Sequence, residues 1–347
     1  MIYNLQLLRA LAAISVVFLH VTSDAGLNVN FGVGGYGVDL FFVISGFTMA
    51  YIGQMPAGTF FLRRCIRIVP LYWAATIGAF IVSWAAPNLV ESATASVPHL
   101  LHSLVFLPFP NRLGDMQPTL ALGWTLNYEM YFYALFTVGL AIAPRYAGVV
   151  ASSLLLIIAE AIRIGGFQDK AITFYSDPIV YEFLFGIVVY YAVNAASAVQ
   201  MKFGALPKCG ILFVCASAAV AVLLLQERLL PDSRVVFAGL PSALLVFSLI
   251  VIEQKHHISP SAKWLVLLGD ASYVLYLTHP FVVYGAIRLC MRPSQMGSLD
   301  LALATLGLTL LAIIAAITIH KVLESPILEF LRRKLTPQRN APLPVLT

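Results

Sequence analysis

Apolar runs recur along this chain, and each is long enough for a helix to cross the hydrocarbon core of a bilayer, which takes about 17 to 25 residues. The half-apolar segment HLLHSLVFLPFP is too short to span and is expected on the surface or as a re-entrant segment. The pattern predicts an all-α fold, a polytopic membrane helical bundle of about ten transmembrane helices. The ten runs are roughly 4–22, 36–53, 70–86, 123–143, 146–164, 178–195, 209–226, 235–252, 264–290 and 299–322.

The composition agrees with lipid as the solvent. Of 347 residues, 60% are hydrophobic and 11% are charged, and the mean hydropathy is +0.88. A water-facing globule cannot bury that much apolar surface, which excludes a soluble enzyme and a disordered chain. The chain has 21 Lys and Arg against 16 Asp and Glu. These cations lie mainly in short loops, which is typical of membrane topology and not of nucleic-acid binding.

The basic residues also predict the orientation. With the N-terminus inside, thirteen of them lie on the cytoplasmic side and seven on the other, so both termini are expected to be cytoplasmic. The first 22 residues lack a basic n-region and are read as a retained span, not a signal peptide. We assign residues 1–326 to one transmembrane domain and 327–347 to a short, basic, peripheral cytoplasmic tail. The four cysteines show no metal-ligand spacing, and we expect no metal.

Ionisable residues inside the spans are candidate functional residues because each costs at least ~2.5 to 3.5 kcal/mol to insert. Arg9 and His20 lie close to one face of the first helix, ~16 Å apart along its axis. Asp39, in the outer part of the second span, is expected to contact His20. Such a carboxylate would fix the imidazole tautomer and raise its basicity, as a general base requires. The alternative is an ion pair that only holds two helices together.

Two further spans carry polar and aromatic candidates. Glu129 lies among aromatic side chains, including Trp124 and Tyr128, and could serve as a second acid or base beside a sugar-binding cleft. The same aromatic residues also suit an interfacial belt. In the ninth span, Tyr273 and His279 lie at near-helical spacing, and Pro280 is expected to kink the helix. A histidine beside a proline can equally be a structural residue.

The segment TFFLRRCIRIVPLYW carries three arginines on the predicted cytoplasmic side. On a helix, Arg63 and Arg64 each lie within a turn of Arg67, which makes one cationic face. Guanidinium groups suit phosphate oxygens. Arginines beside a membrane can also set topology and touch anionic lipid headgroups.

Several motifs in order resemble those of the acyltransferase-3 family of integral membrane acyltransferases. They are RALAAISVVFLH, GVDLFFVISGF, FLRRCIRIVPLYW, GWTLNYEMYFY, LGDASYVLYLTHP and ESPILEF. The resemblance covers nearly the whole chain, and the compact form with the opening LQLLRALAA is most similar to the exopolysaccharide O-acetyltransferase branch. Many members carry a soluble esterase-like domain after the last span, and this sequence has about twenty residues there.

The resemblance implies an enzyme of the bacterial inner membrane that moves an acyl group, usually acetyl, from cytoplasmic acyl-CoA to a hydroxyl of a cell-surface or lipid-linked glycan. It implies that His20 is the base or acyl relay, that Arg9 handles the donor, and that Arg64 and Arg67 engage acyl-CoA. Asp39 and Glu129 match acidic positions of the family's core. We add Arg63 to the predicted donor site, and Trp124, Tyr128, Tyr273 and His279 to the predicted substrate site.

Two other functions use the same residues. A proton-coupled secondary transporter would also carry intramembrane charges, although no internal repeat is visible in the sequence. A non-catalytic scaffold of a polysaccharide-export complex would not depend on His20. Binding of acetyl-CoA distinguishes the enzyme from the transporter, and loss of glycan acetylation in a His20→Ala variant distinguishes it from the scaffold.

Overall fold

The computed structural model describes residues 2–24, 35–53, 55–86, 95–198, 205–229, 234–259, 262–291 and 296–336. Within these ranges the chain forms fourteen α-helices and no strand, which confirms the predicted all-α fold. The helices are α1 (Tyr3–Asp24), α2 (Tyr36–Ile52), α3 (Ala57–Ala85), α4 (Val97–Leu104), α5 (Trp124–Ile142), α6 (Ala147–Gly165), α7 (Lys170–Thr173), α8 (Tyr181–Ala198), α9 (Ala205–Leu229), α10 (Leu240–His256), α11 (Lys263–Asp270), α12 (Ser272–Cys290), α13 (Ser298–Ile319) and α14 (Ser325–Leu335).

Fewer helices than predicted satisfy the length and hydropathy expected of a span. Among the described residues, six helices do so, or seven if the bent pair α11–α12 crosses as one. Helix α2 and residues 211–223 of α9 are apolar but shorter. Helix α5 has 19 residues, but Asn127 and Glu129 lower its mean hydropathy. The count of ten is therefore not confirmed, and the orientation of the termini stays a prediction.

The centre of the bundle is built on direct backbone contact between α2 and α8. A Cβ atom on Gly46 would lie 2.0 Å from the carbonyl oxygen of Phe183, and one on Gly186 would lie 2.1 Å from that of Val43. Only glycine allows this approach, as is common between membrane helices. This contact holds α2 against α8 as a buried central helix. Helix α1 packs on another face of α2.

Helix α3 is longer than the predicted third span and includes the arginine segment. It begins at Ala57 and continues through Pro70, whereas the hydropathy pattern placed the start of the span at residue 70. The half-apolar segment after it forms the eight-residue α4, which is too short to cross. It docks on α3, because Tyr72 and Trp73 donate hydrogen bonds to the carbonyl oxygens of Ser103 and Leu104, at 3.1 and 2.8 Å.

The predicted ninth span is broken. Helices α11 and α12 meet at an angle of 70° around Ala271, and α12 runs on through Pro280, where we had expected the kink. Further along, α13 passes through a π-helical segment, His320–Glu324, into α14. The first part of the predicted peripheral tail is thus a helix of the bundle.

Candidate active site

A cavity of about 500 Å³ opens among α1, α2, α3, α5, the α11–α12 break and α14. It lies towards the end of the bundle at which α1 and α3 begin, the predicted cytoplasmic end. Its walls mix apolar side chains with eight that carry or can carry charge. These eight are Arg9, Arg64, Arg67, Glu129, Asp270, His320, Glu329 and Arg332.

Two of the arginines face the cavity without a protein partner. Within the described ranges, Arg9 makes no hydrogen bond or ion pair, and the Nε of Arg64 is buried and unpaired. The guanidinium of Arg64 lies over the rings of Phe60 and Tyr133, 5.9 and 6.0 Å from their centroids. Because a buried, unpaired guanidinium is costly, this pair suits an anionic ligand.

Unlike Arg9 and Arg64, Arg67 is held in place by protein partners. Its Nη1 lies 2.9 Å from Oε1 of the buried Glu324, and its Nη2 donates to the carbonyl oxygen of Asp270 at 3.3 Å. The second oxygen of Glu324 lies 2.5 Å from Nδ1 of His320. Arg67 therefore joins α3 to the α11–α12 break and to the π segment before α14.

The structure changes the membership of the predicted cationic cluster. Arg63 is not among the residues that line the cavity, although we had grouped it with Arg64 and Arg67. Arg332 of α14 lines it instead, together with Leu328. Sequence reasoning missed Arg332 because it lies beyond the last apolar run. The signal available was the amphipathic segment SPILEFLRRKL, which a helix divides into an apolar and a cationic face.

Glu129 lies in the same cavity as Arg9. It accepts hydrogen bonds from the hydroxyls of Tyr133 and Ser45, the latter at 3.2 Å. A carboxylate held by two hydroxyls is fixed in position. The structure brings Glu129, Arg9 and Arg64 together, whereas the sequence grouped Glu129 with the aromatic residues of a sugar-binding cleft, and it does not place Glu129 beside His20.

The partner of His20 is another histidine. Nδ1 of His20 lies 2.9 Å from the carbonyl oxygen of Val16 and 3.2 Å from Nε2 of His279. Nδ1 of His279 lies 3.0 Å from the carbonyl oxygen of Leu275. A carbonyl can only accept, so the hydrogen-bond network assigns the proton of a neutral His279 to Nδ1 and leaves its Nε2 as an acceptor.

The same reasoning assigns the His20 proton. With acceptors on both sides of its Nδ1, a neutral His20 carries its proton there, which leaves the lone pair on Nε2. Nε2 has no hydrogen-bond partner among the described residues, and the side chain is half-buried. His279, by contrast, is fully buried. The pair of histidines therefore has one nitrogen with a free lone pair, Nε2 of His20.

The predicted contact between Asp39 and His20 is wrong. Asp39 is fully buried and accepts two bonds from Arg234, from Nε at 2.9 Å and from Nη2 at 2.8 Å. The reason is helix register: Gly37 packs against Ala12 and Val16 of α1, so Asp39 lies about 12 Å deeper than His20 at 1.5 Å per residue. Arg234 is 195 positions away in the sequence, and no local pattern indicates the pair.

Tyr276 connects the histidines to the cavity. Neither His20 nor His279 is among the lining residues, but Tyr276 is, and its ring centroid lies 6.4 Å from that of His279. Its hydroxyl bonds the hydroxyl of Thr125 at 2.9 Å and the carbonyl oxygen of Leu122 at 3.1 Å. Tyr276 therefore lies between the cavity and His279.

The predicted substrate-binding aromatics separate in the structure. Tyr273 lines the cavity, and its hydroxyl donates to the carbonyl oxygen of Ile68 at 2.7 Å. Tyr128 is buried in the core, stacked on Phe174 with centroids 4.0 Å apart, and is not exposed to a ligand. Trp124 packs edge-on against Tyr128 and lines a separate outer pocket.

No group of three or more His, Cys, Asp or Glu side chains that could hold a metal ion occurs in the part of the chain that the structure describes. Cys65 and Cys215 are free and half-buried. The side chains of the other two cysteines lie outside the described set.

Comparison with known proteins places the sequence among acyltransferases. The model of the acyltransferase-3 family, described as an acyltransferase domain, matches residues 2–321. The exopolysaccharide production protein ExoZ of Rhizobium meliloti (strain 1021) is 32% identical over 306 residues, which is 86% of this chain and 91% of that protein. The acyltransferase MdmB of Streptomyces mycarofaciens is 25% identical over 365 residues, 95% of this chain and 88% of that protein. No solved structure matches.

Proposed function

The chain belongs to the acyltransferase-3 family, and we propose that it is an O-acyltransferase of the bacterial inner membrane. It moves an acetyl group from cytoplasmic acetyl-CoA to a hydroxyl of a cell-surface or lipid-linked glycan. The similarity to ExoZ supports an exopolysaccharide as the final carrier of that group. The apolar helices that are long enough to span support an integral membrane protein.

The observation that carries the proposal is the pair of unpartnered arginines in the cavity. Coenzyme A is polyanionic, and Arg9 and Arg64 offer guanidinium groups that make no hydrogen bond or ion pair with a described residue. Arg332 adds a third cation at the α14 wall. These groups bind phosphate oxygens by charge-assisted hydrogen bonds. The pantetheine arm then extends past Tyr276 towards His20.

His20 acts as the general base. Its Nε2 takes the proton of the acceptor hydroxyl while the oxygen attacks the thioester carbonyl carbon. The C–S bond then breaks, and the thiolate of coenzyme A takes the proton back from the imidazolium. His279 accepts from Nδ1 of His20, and so holds the productive tautomer. This is the orienting role that we had expected of Asp39.

The two carboxylates take other roles. Asp39 pairs with Arg234 and fixes α2 against the start of the π segment Val235–Gly239. Glu129 shares the donor cavity with Arg9 and Arg64, where its negative charge attracts Arg9 without forming an ion pair. This assignment is supported by the absence of a contact with His20 among the described residues.

The test uses Arg63 and Arg64, which are adjacent in α3 but differ in access to the cavity. Binding of acetyl-CoA to the purified, full-length protein is measured for wild type, Arg64→Gln and Arg63→Gln. We expect saturable binding that weakens about tenfold in Arg64→Gln, since a lost charge-assisted bond is worth about 1.5 kcal/mol. Arg63→Gln is expected to bind like wild type. No binding by wild type, or equal losses in both variants, would count against the donor site.

A further inference from the structure

Glu324 is a buried carboxylate to which the proposed mechanism gives no role. It belongs to the segment ESPILEF and is 4% exposed. Its Oε1 lies 2.9 Å from Nη1 of Arg67, and its Oε2 lies 2.5 Å from Nδ1 of His320. A buried carboxylate is costly unless it is paired, and here each oxygen has a partner. Glu324 is therefore held in one position between α3 and the π segment that precedes α14.

The π segment sets which face of α14 follows Glu324. The N–H of Ser325 donates to the carbonyl oxygen of His320, five residues earlier, in place of the α-helical partner. Such wide turns occur often at functional sites. Leu328 and Arg332 follow Glu324 at intervals of four residues, so they share one face of α14 with it. Both line the donor cavity, and Glu324 thus lies at the base of the face that α14 presents to that cavity.

Like charges oppose the approach of α14 to α3. Arg332 of α14 is repelled by three arginines of α3 and attracted by Glu324. The three are Arg63, Arg64 and Arg67. The repulsion is weakly screened where little water lies between the charges. The ion pair of Arg67 with Glu324 offsets this repulsion and connects the two helices.

The same ion pair orients Arg67 and leaves part of it available to a ligand. Besides Glu324, Arg67 bonds the carbonyl oxygen of Asp270 through Nη2, at 3.3 Å. Its guanidinium carbon lies 5.6 Å from the ring centroid of Tyr273, which fixes its plane. A guanidinium has five N–H donors, and these two bonds use two of them. The remaining donors can bond phosphate oxygens in the orientation that the two partners set.

We propose that Glu324 is a positioning residue for the acyl-CoA donor. It acts through Arg67, whose guanidinium it orients, and through α14, which it anchors so that Arg332 faces the same cavity. The proposal rests on the proposed function, which assigns acyl-CoA to this cavity. Positioning differs in sign from a simple charge effect. Removing an anion beside an anion-binding cavity would by itself strengthen binding of acetyl-CoA, whereas losing a positioning group weakens it.

The first test measures binding of acetyl-CoA to purified full-length protein. We expect Glu324→Gln to weaken binding about tenfold, because the charge that holds Arg67 is lost. The double variant of Glu324→Gln with Arg67→Gln is compared with each single variant. Its loss should be smaller than the product of the two single losses, since both substitutions break the same contact.

Two further variants separate position from charge and from general effects. Glu324→Asp keeps the negative charge but withdraws it from Arg67 by one methylene group, and it should also weaken binding of acetyl-CoA. Glu160→Gln is the control, because Glu160 of α6 lies outside the donor cavity and pairs with Arg163 at the surface, at 3.3 Å. We expect the control to bind acetyl-CoA like the wild type.

A second measurement does not involve the donor. Trypsin cuts after Arg333 or Lys334 when α14 unwinds locally, so the cleavage rate reports how firmly this helix is held. Mass spectrometry identifies the cleaved bond. Glu324→Gln should raise the rate about tenfold, and Glu160→Gln should leave it at the wild-type value.

Three outcomes would overturn the proposal. They are equal or tighter acetyl-CoA binding by Glu324→Gln and Glu324→Asp, single losses that multiply in the double variant, and tryptic cleavage of α14 that does not respond to Glu324→Gln. Failure of the proposed function gives a different result. If the wild type binds no acetyl-CoA while cleavage responds as expected, the donor assignment is contradicted and the anchoring of α14 by Glu324 is supported.

Discussion

Nε2 of His279 lies 3.2 Å from Nδ1 of His20, although the two residues are 259 positions apart in the sequence. The carbonyl oxygen of Leu275 accepts from Nδ1 of His279, and that of Val16 accepts from Nδ1 of His20, so each histidine carries its proton on Nδ1. The free lone pair is then on Nε2 of His20. A histidine that orients another histidine replaces the carboxylate that the sequence suggested.

This arrangement predicts different effects for two replacements of His279. His279→Leu removes the acceptor and should lower kcat about 10- to 100-fold, the range known for loss of the hydrogen-bond partner of a metal-ligating histidine. His279→Gln can keep an acceptor oxygen near the Nε2 position and should retain most of the activity. Steady-state kinetics with acetyl-CoA measures both, and KM for the donor should not change. Equal losses in the two variants would show that His279 is needed only for packing.

Arg332 should affect the donor and not the acceptor. Arg332→Gln removes a cation from the cavity wall, and we expect KM for acetyl-CoA to rise about tenfold. Arg333 is the matched control, because its side chain is 80% exposed and pairs only loosely, at 3.6 Å, with Glu329. Initial rates measured at varied acetyl-CoA concentration give KM for the wild type and for both variants. A similar effect of Arg333→Gln would indicate a general electrostatic attraction to the membrane surface.

Gly46 should not tolerate a side chain. The Cβ of alanine would lie 2.0 Å from a backbone oxygen of α8, which cannot move without separating the two helices. We expect Gly46→Ala to destabilise the protein by ~1 to 3 kcal/mol or more. Gly285 of α12 has no atom within 4 Å of the same position, so Gly285→Ala should leave stability unchanged or slightly higher. Thermal unfolding in detergent compares the two, and equal midpoints would contradict the α2–α8 packing.

Sequence reasoning succeeded for the features that depend on a local pattern of residues. Apolar runs predicted the helical membrane bundle, and the family resemblance is confirmed by the match over residues 2–321. Arg9, Arg64 and Arg67 were predicted to act together, and all three line one cavity. Each of these predictions depends on composition or on short motifs that can be read along the sequence.

The rest of the candidate site could not be predicted from the sequence, because it depends on the depth at which neighbouring helices pack against each other. The depth of Asp39 relative to His20 is set by the packing of Gly37 on α1, and its partner Arg234 comes from a distant segment. The place of Arg332 depends on the continuation of α13 through a π segment into α14. Hydropathy carries no information about either register.

In the proposed mechanism, His20 transfers protons during acetyl transfer from acetyl-CoA. The direct measurement is the transfer of radiolabelled acetyl from acetyl-CoA to a saccharide by purified wild-type and His20→Ala protein, with acetyl-CoA binding measured in parallel. Loss of a general base should lower the rate by about 10² or more, while donor binding at Arg9 and Arg64 stays at the wild-type level. A His20→Ala protein that transfers acetyl at the wild-type rate would contradict the account.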